Sequence, residues 1–241
     1  MNSIRNLLKK SDIILGIRSD YWKIQRMLWG KTSSKALDRY LKSSPVKKLQ
    51  IGAGPIALPG WLGTDLRPTD TIAFLDATKP FPIESNTFDY IHCEHMIEHI
   101  TWFDGLDMLR ECRRILKPHG TIRIATPDLC VFANLYHSSK GSFAEEYMKF
   151  ITDFYLQGVP DYRAGFVINS LFYRWGHKFV YDGELLEMAL QMAGFLDIKR
   201  FEPGESDDPN LRNIEMHGKI GNYREDANEF ETMVFEAKSP E

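Results

Sequence analysis

Two short segments of this chain combine residue types and spacings that can do chemistry. Lys48-Leu49-Gln50-Ile51 reads as a strand that runs into Gly52-Ala53-Gly54-Pro55, and an acid, Asp65, closes the next short strand. A strand ending in Gly-x-Gly lets backbone N–H groups and a ligand approach closely, because no Cβ stands between them. An acid closing the following strand can accept both hydroxyls of a ribose. Further on, His95-Met96-Ile97-Glu98-His99 spaces two imidazoles and a carboxylate at i, i+3 and i+4, positions that share one helix face. The same H-x-x-E-H order occurs in a class of zinc hydrolases.

Imidazoles titrate near neutral pH, so His95, His99, His177 and His217 are candidates for a general base. His177 lies in Arg174-Trp175-Gly176-His177-Lys178-Phe179, where an aromatic-rich segment rejoins the core, and is favoured on the substrate side. The alternative is a histidine hydrogen-bonded within a turn. Asp128, in Thr126-Pro127-Asp128, either faces a substrate or caps the helix that follows.

The elements that must hold these residues alternate. Strands are expected at Lys48–Ile51, Trp61–Asp65, Ile72–Leu75, Phe88–His92 and Thr121–Ala125, with a helix at Thr101–Leu116 bearing Phe103, Leu106, Leu109 and Cys112 on one side. Lys117-Pro118-His119-Gly120 terminates that helix. A helix at Gly183–Ala193 ends at Gly194, and the last strands fall at Leu196–Phe201 and Glu231–Ala237. Strands separated by helices require crossover connections, so the expected fold is α/β, a doubly wound, mostly parallel sheet. Residues 1–45 read as an N-terminal helical extension, set apart from a domain over 46–241. Residues 130–182 hold fourteen of the chain's thirty aromatics, which marks them as a helical insertion, a lid, with apolar surface of its own to bury. Residues 202–230 read as a polar loop.

The 241 residues suffice for one substantial core, with ordinary hydrophobic (43%) and charged (26%) content. A net charge of −3 gives no footprint for nucleic acid. Cys93, Cys112 and Cys130 are odd in number and form no C-x-x-C pair, which fits reduced thiols and a cytoplasmic protein. No apolar run approaches the ~20 residues of a membrane span. The N-terminal helices are expected to pack on their own domain, with weak peripheral contact to a membrane as the alternative.

In order, the chain carries the Gly52–Gly54 turn, Asp65, Asp76, Pro80-Phe81-Pro82, Asn86-Thr87-Phe88-Asp89-Tyr90-Ile91, Glu98-His99 and Leu116-Lys117-Pro118-His119-Gly120-Thr121. Together these motifs resemble the class I S-adenosylmethionine-dependent methyltransferases, in the small type-11-like bacterial group, over about residues 47–128 and more loosely in the last two strands. The resemblance implies a seven-stranded Rossmann-like sheet, S-adenosylmethionine as cofactor, Asp65 on the ribose hydroxyls, Asp76 with Ala77 beside the adenine, and Glu94 with His95 at the end of the fourth strand. The candidate cofactor-binding residues are Gln50, Gly52, Ala53, Gly54, Asp65, Leu66, Asp76, Ala77 and Glu94, and the candidate catalytic residues are His177, His95 and Asp128.

Asp65 follows Gly52 by only thirteen residues, whereas a nicotinamide-binding site places its acid about twenty residues on. With Pro55, Pro59 and Gly60 interrupting the first helix, a nicotinamide cofactor is disfavoured. Glu98-His99 reads first as a structural pair with no metal. Some O-methyltransferases carry a similar Glu-x-x-Glu-His that holds a divalent ion on the acceptor, and here His95 replaces the first Glu. The implied activity is methyl transfer to a small or glycan-linked acceptor, at oxygen rather than nitrogen, as in chains of bacterial polysaccharide assembly. The alternatives are a catalytically silent cofactor- or partner-binding member of the fold and a metal hydrolase using His95, Glu98 and His99.

Overall fold

In the computed structural model, residues 35–219 and 224–241 are described. Seven strands form one sheet: β1 (Lys48–Ile51), β2 (Leu62–Asp65), β3 (Ile72–Phe74), β4 (Phe88–Glu94), β5 (Leu116–Pro127), β6 (Leu196–Phe201) and β7 (Thr232–Lys238), in the order β3-β2-β1-β4-β5-β7-β6. All neighbours through β5 pair in parallel, and β7 lies antiparallel to both β5 and β6. This is the doubly wound, mostly parallel α/β sheet expected. Its central strands are apolar on both faces because helices cover both; Leu49, Ile51, Phe88, Ile91 and Ile124 are all buried.

Of the N-terminal extension, residues 1–34 lie outside the described residues. Residues 35–43 (α1) are helical, and Ala36, Leu37, Tyr40 and Leu41 pack on the main core. Tyr40 ties this helix down: its hydroxyl donates to the Gly60 carbonyl (2.9 Å) and accepts from the Lys48 N–H (2.8 Å).

Helix α2 runs Trp102–Ile115, and the Thr101 hydroxyl caps it by accepting from the Asp104 N–H. Leu106, Leu109 and Cys112 face the core, but Phe103, expected beside them, is 76% exposed. Three-residue steps on a 3.6-residue helix drift about 60° each, so three steps back from Cys112 reach the opposite face. The helix stops before Lys117-Pro118-His119-Gly120 as expected. Pairing with β4 nevertheless starts at once, Leu116 opposite Phe88, and the register shifts before Tyr90.

After β5 come α3 (Leu129–Asn134), α4 (Phe143–Tyr155) and α5 (Ala164–Tyr173), then α6 (Gly183–Met192) between α5 and β6. Helices α3 to α5 bury Phe132, Tyr147, Ile151, Val167 and Leu171 in a second core of their own.

The 202–230 segment is less of a loop than its polarity suggested. It holds a one-turn 3-10 helix (His217–Lys219) and most of α7 (Glu225–Glu231). Leu211 is 0% exposed and packs with Leu58 and Trp61. Arg123 at the centre of β5, also 0% exposed, gathers Glu215 (2.6 Å), Glu236 (2.6 Å) and the Glu205 carbonyl (2.8 Å). These partners lie far apart in sequence, which is why local polarity alone read the segment as free.

Candidate functional site

The carboxyl ends of β1 to β4 open into a cleft of about 1270 Å³. Gly52 leaves β1 with φ +71°, and a Cβ there would meet Met96 Cγ at 2.5 Å and Cβ at 2.7 Å. Only glycine fits both the left-handed backbone and that contact. Gly54 also has positive φ (+59°), but a Cβ there would meet nothing within 4 Å. Asp65, the last residue of β2, braces the turn: its Oδ2 accepts the Gly54 N–H (3.1 Å) and its Oδ1 the Arg67 N–H (2.9 Å). Each oxygen keeps a lone pair for a further donor. Asp76, beyond β3, accepts from the Thr78 N–H (3.1 Å) and hydroxyl (2.7 Å). Gln50 lines the cleft while its Oε1 accepts the Leu58 N–H (2.9 Å), which shapes the proline-rich segment that replaces a first helix.

Gln50, Gly52, Ala53, Gly54, Asp65, Leu66, Asp76, Ala77 and Glu94 all line this cleft, as do His95 and His177. Glu94, however, is engaged elsewhere. Its carboxylate accepts the N–H groups of Met216 (2.9 and 2.8 Å) and His217 (2.8 Å), closing the segment after β6 over the sheet. Burial opposes its charge, but His92 and these two N–H groups override it and hold its pKa down to about 2.

At His95 the backbone turns sharply off β4 (φ +45°). The ring is held on both nitrogens: Nε2 lies 2.9 Å from Thr232 Oγ1 and Nδ1 3.4 Å from Glu98 Oε1. His217 stacks on it, centroids 4.1 Å apart. Burial disfavours the His95 charge, yet Glu98 outweighs burial and raises its pKa, while Glu98 is correspondingly lowered against its own burial. Burial and the neighbouring His95 bring His217 down to about 4.

Ile97–His99 form a single 3-10 turn directly after β4, and the α-helix proper starts only at Trp102. The H-x-x-E-H residues therefore do not lie along a helix, and the His95 ring turns its Nδ1 toward Glu98 at 3.4 Å. The hydrolase arrangement is not formed. Glu98 is fully buried; Oε2 accepts from the Thr126 hydroxyl (3.0 Å), and its backbone carbonyl receives the N–H groups of Lys178 (2.8 Å) and Phe179 (3.2 Å). These last two bonds dock the turn after α5 onto the 3-10 turn that follows β4. That turn, with Gly176 at φ +81°, delivers His177 to within 4.9 Å of His99, ring to ring and edge-on. Burial lowers the His177 pKa and favours the neutral ring.

Asp128 departs from its expected catalytic role. It caps α3 through the Cys130 N–H (2.9 Å), pairs with Arg200 (2.8 Å), and does not line the cleft. Helix α4, the turn after α5 and helix α7 supply side chains the sequence did not single out. Tyr147, Tyr155, Trp175 and Glu231 wall the far end of the cleft, and the Tyr147 hydroxyl donates to Glu231. The aromatic density of 130–182 was the only signal for the three aromatics, and none pointed to Glu231.

Residues 64–124 match a family model described as "Methyltransferase domain", beginning inside β2 and ending inside β5. No curated protein matches the chain in sequence. Among solved structures, it is similar to a SAM-dependent methyltransferase from Archaeoglobus fulgidus (18% identity, TM-score 0.45, covering 87% of this chain and 94% of that one). It is also similar to a SAM-dependent methyltransferase from Thermotoga maritima (16%, TM-score 0.45, 89% and 95%). A third is phosphoethanolamine N-methyltransferase 2 of Haemonchus contortus in complex with S-adenosyl-L-methionine (16%, TM-score 0.42, 88% and 53%).

Proposed function

We propose that this chain, which matches a methyltransferase-domain family model over residues 64–124, transfers the methyl group of S-adenosylmethionine to a small or glycan-linked acceptor, at oxygen. The observation that carries this reading is the continuity of one cleft from the Gly52–Gly54 turn and Asp65 to the histidines and aromatic wall under the lid. Methyl transfer from a sulfonium is an in-line displacement, so the protein's main task is to hold donor and acceptor at near-attack distance.

Gly52, Ala53 and Gly54 present backbone to the methionine part and ribose, Asp65 accepts the ribose hydroxyls, and Leu66, Asp76 and Ala77 border the adenine. Gln50 and Glu94 act one step back, Gln50 by fixing the 55–58 segment and Glu94 by holding Met216 and His217 over the cleft. Helices α3 to α5 are read as the lid over the acceptor. A hydroxyl acceptor needs help losing its proton, which is the ground for preferring oxygen: a neutral His177 is suited to that role, whereas an amine needs no such group. Among the described residues no helix is long and apolar enough to cross a membrane. All three cysteines are free, and the cytoplasm is the proposed site of action.

The test is a panel of hydroxyl- and amine-bearing acceptors incubated with the chain and methyl-labelled S-adenosylmethionine. Label is expected on a hydroxyl. Label on an amine overturns the oxygen assignment. Tight S-adenosylhomocysteine binding with no labelled product from any acceptor favours a silent binding protein.

A further inference from the structure

We propose that Glu98, His99 and His177 hold a divalent transition-metal cation at the acceptor end of the cleft. One ligand atom from each residue lies within 4.8 Å of the other two; two ligands of one ion span at most about 4.4 Å at ordinary distances, so side-chain shifts of about half an ångström bring all three onto a single cation. Two orphaned polar atoms point the same way. Glu98 is 0% exposed and its Oε1 has only the long 3.4 Å contact to His95 Nδ1, outside hydrogen-bond geometry, and the buried Nδ1 of His177 has no hydrogen-bond partner. Buried polar atoms are normally satisfied, and a buried carboxylate oxygen without a well-aligned donor is costly. A cation supplies what both lack.

His95 is not a ligand. Its two nitrogens face Thr232 and Glu98, so it positions Glu98 instead, together with the Thr126 hydroxyl on the other carboxylate oxygen. Carboxylates that ligate metals commonly need such partners to stay oriented. The three ligands come from two elements that the sequence separates widely, the 3-10 turn after β4 and the Gly176 turn after α5. Hydrogen bonds from Lys178 and Phe179 to the Glu98 carbonyl hold those elements together. The reading of Glu98-His99 as a purely structural pair gives way on this geometry, because neither side chain spends its ligand atoms on capping.

Two imidazoles and one carboxylate favour borderline cations such as Co²⁺, Ni²⁺ or Zn²⁺ over Mg²⁺ or Ca²⁺, which prefer all-oxygen shells. Three protein ligands leave coordination positions open, and all three residues line the cleft. The cation's use in catalysis rests on the methyl-transfer reading; the site itself does not. An acceptor hydroxyl bound there becomes more acidic and loses its proton to solvent, so with the cation bound His177 assists that loss as a ligand and no longer as the base. Its oxygen then forms the bond to the methyl carbon, and the carbon–sulfur bond breaks with its electron pair on sulfur, leaving S-adenosylhomocysteine.

The test is calorimetric titration of tag-free, chelator-treated protein with Co²⁺ and, separately, with Mg²⁺. One Co²⁺ per chain is expected, bound at least tenfold more tightly than Mg²⁺. Glu98→Gln and His177→Ala should each weaken Co²⁺ at least tenfold, while His137→Ala, an exposed histidine away from the cleft, binds it as the wild type does. Absence of stoichiometric Co²⁺ uptake overturns the proposal, as does wild-type affinity in the His99→Ala/His177→Ala double variant. Mg²⁺ binding as tight as Co²⁺ overturns the nitrogen-ligated assignment. S-adenosylhomocysteine titrated in parallel separates the two readings and reports on the fold of each variant. Cobalt uptake without it leaves the cation site standing and removes methyl transfer; the reverse result removes the cation site alone.

Discussion

The Glu94 carboxylate accepts the Met216 N–H with both oxygens, at 2.9 and 2.8 Å, and so fastens a segment 122 residues away to the end of β4. Because His217 donates to the same carboxylate, the acid that closes β4 serves as a clamp on the cleft's rim.

That clamp gives stability a defined pH dependence. Glu94 is held at about 2, below its ordinary value of 4.5. The folded state therefore binds its proton only at lower pH than the unfolded chain does. The stabilisation is complete above about pH 4.5 and is lost as the pH falls toward 2, and it amounts to about 3 kcal/mol at most. Glu94→Gln should be less stable than the wild type at pH 7 in urea denaturation, with the gap narrowing steadily from pH 4.5 to pH 3. A gap independent of pH would show that the charge is not what binds Met216.

Gly52 and Gly54 should respond differently to the same added methyl group. At Gly52 an alanine meets Met96 as well as an unfavourable backbone conformation, and a loss of about 2–4 kcal/mol is expected. At Gly54 only the backbone term applies, about 1–2 kcal/mol, but the new Cβ stands in the open cleft. Gly54→Ala should thus keep most of its stability and still bind S-adenosylhomocysteine more weakly. Equal stability losses in the two variants would contradict the Met96 contact.

Asp65→Ala should reduce affinity for S-adenosylhomocysteine about a hundredfold, since two hydrogen bonds to a charged acceptor are lost. The same carboxylate also braces Gly54 and Arg67, so a drop in stability will accompany it. Asp65→Asn keeps one oxygen for the Gly54 N–H and should retain the turn while still losing affinity. Undiminished affinity in both variants, by calorimetry, would remove Asp65 from the cofactor site.

The sheet and the glycine-and-acid half of the cleft were legible in the sequence because their signals are local. Ile51-Gly52-Ala53-Gly54 is a strand and its turn, and Asp65 and Asp76 each follow an apolar run. The other half was not, because it is assembled from distant pieces. Nothing near Asp128 announces Arg200 as its partner, so an N-cap could pass for a catalytic acid. Nothing near Glu94 announces Met216. His177 was noticed, but its relation to Glu98 depends on a backbone contact between the 3-10 turn following β4 and the turn after α5 that no local pattern encodes.

Arg123 is the strongest case of such a distant assembly. It is fully buried, and Glu215 and Glu236 are nearly so. Glu215 in turn accepts the Gly204 N–H (2.9 Å), so one guanidinium connects β5, β7 and the segment between β6 and α7. Removing it leaves two buried carboxylates without a cation, and Arg123→Met should cost about 3–5 kcal/mol.

The turnover of His177→Ala should fall about a hundredfold, the usual scale for losing a group that manages a proton, with S-adenosylhomocysteine affinity changed less than about threefold. The reason is position. His177 reaches the cleft from the lid side, beside His99, while the proposed cofactor contacts all lie on the strand ends. A merely structural His177 would instead loosen the turn that docks on the Glu98 carbonyl, and affinity, stability and turnover would decline together. Measuring kcat, cofactor affinity and Tm on the one variant decides between these outcomes, and parallel losses in all three would make His177 a packing residue.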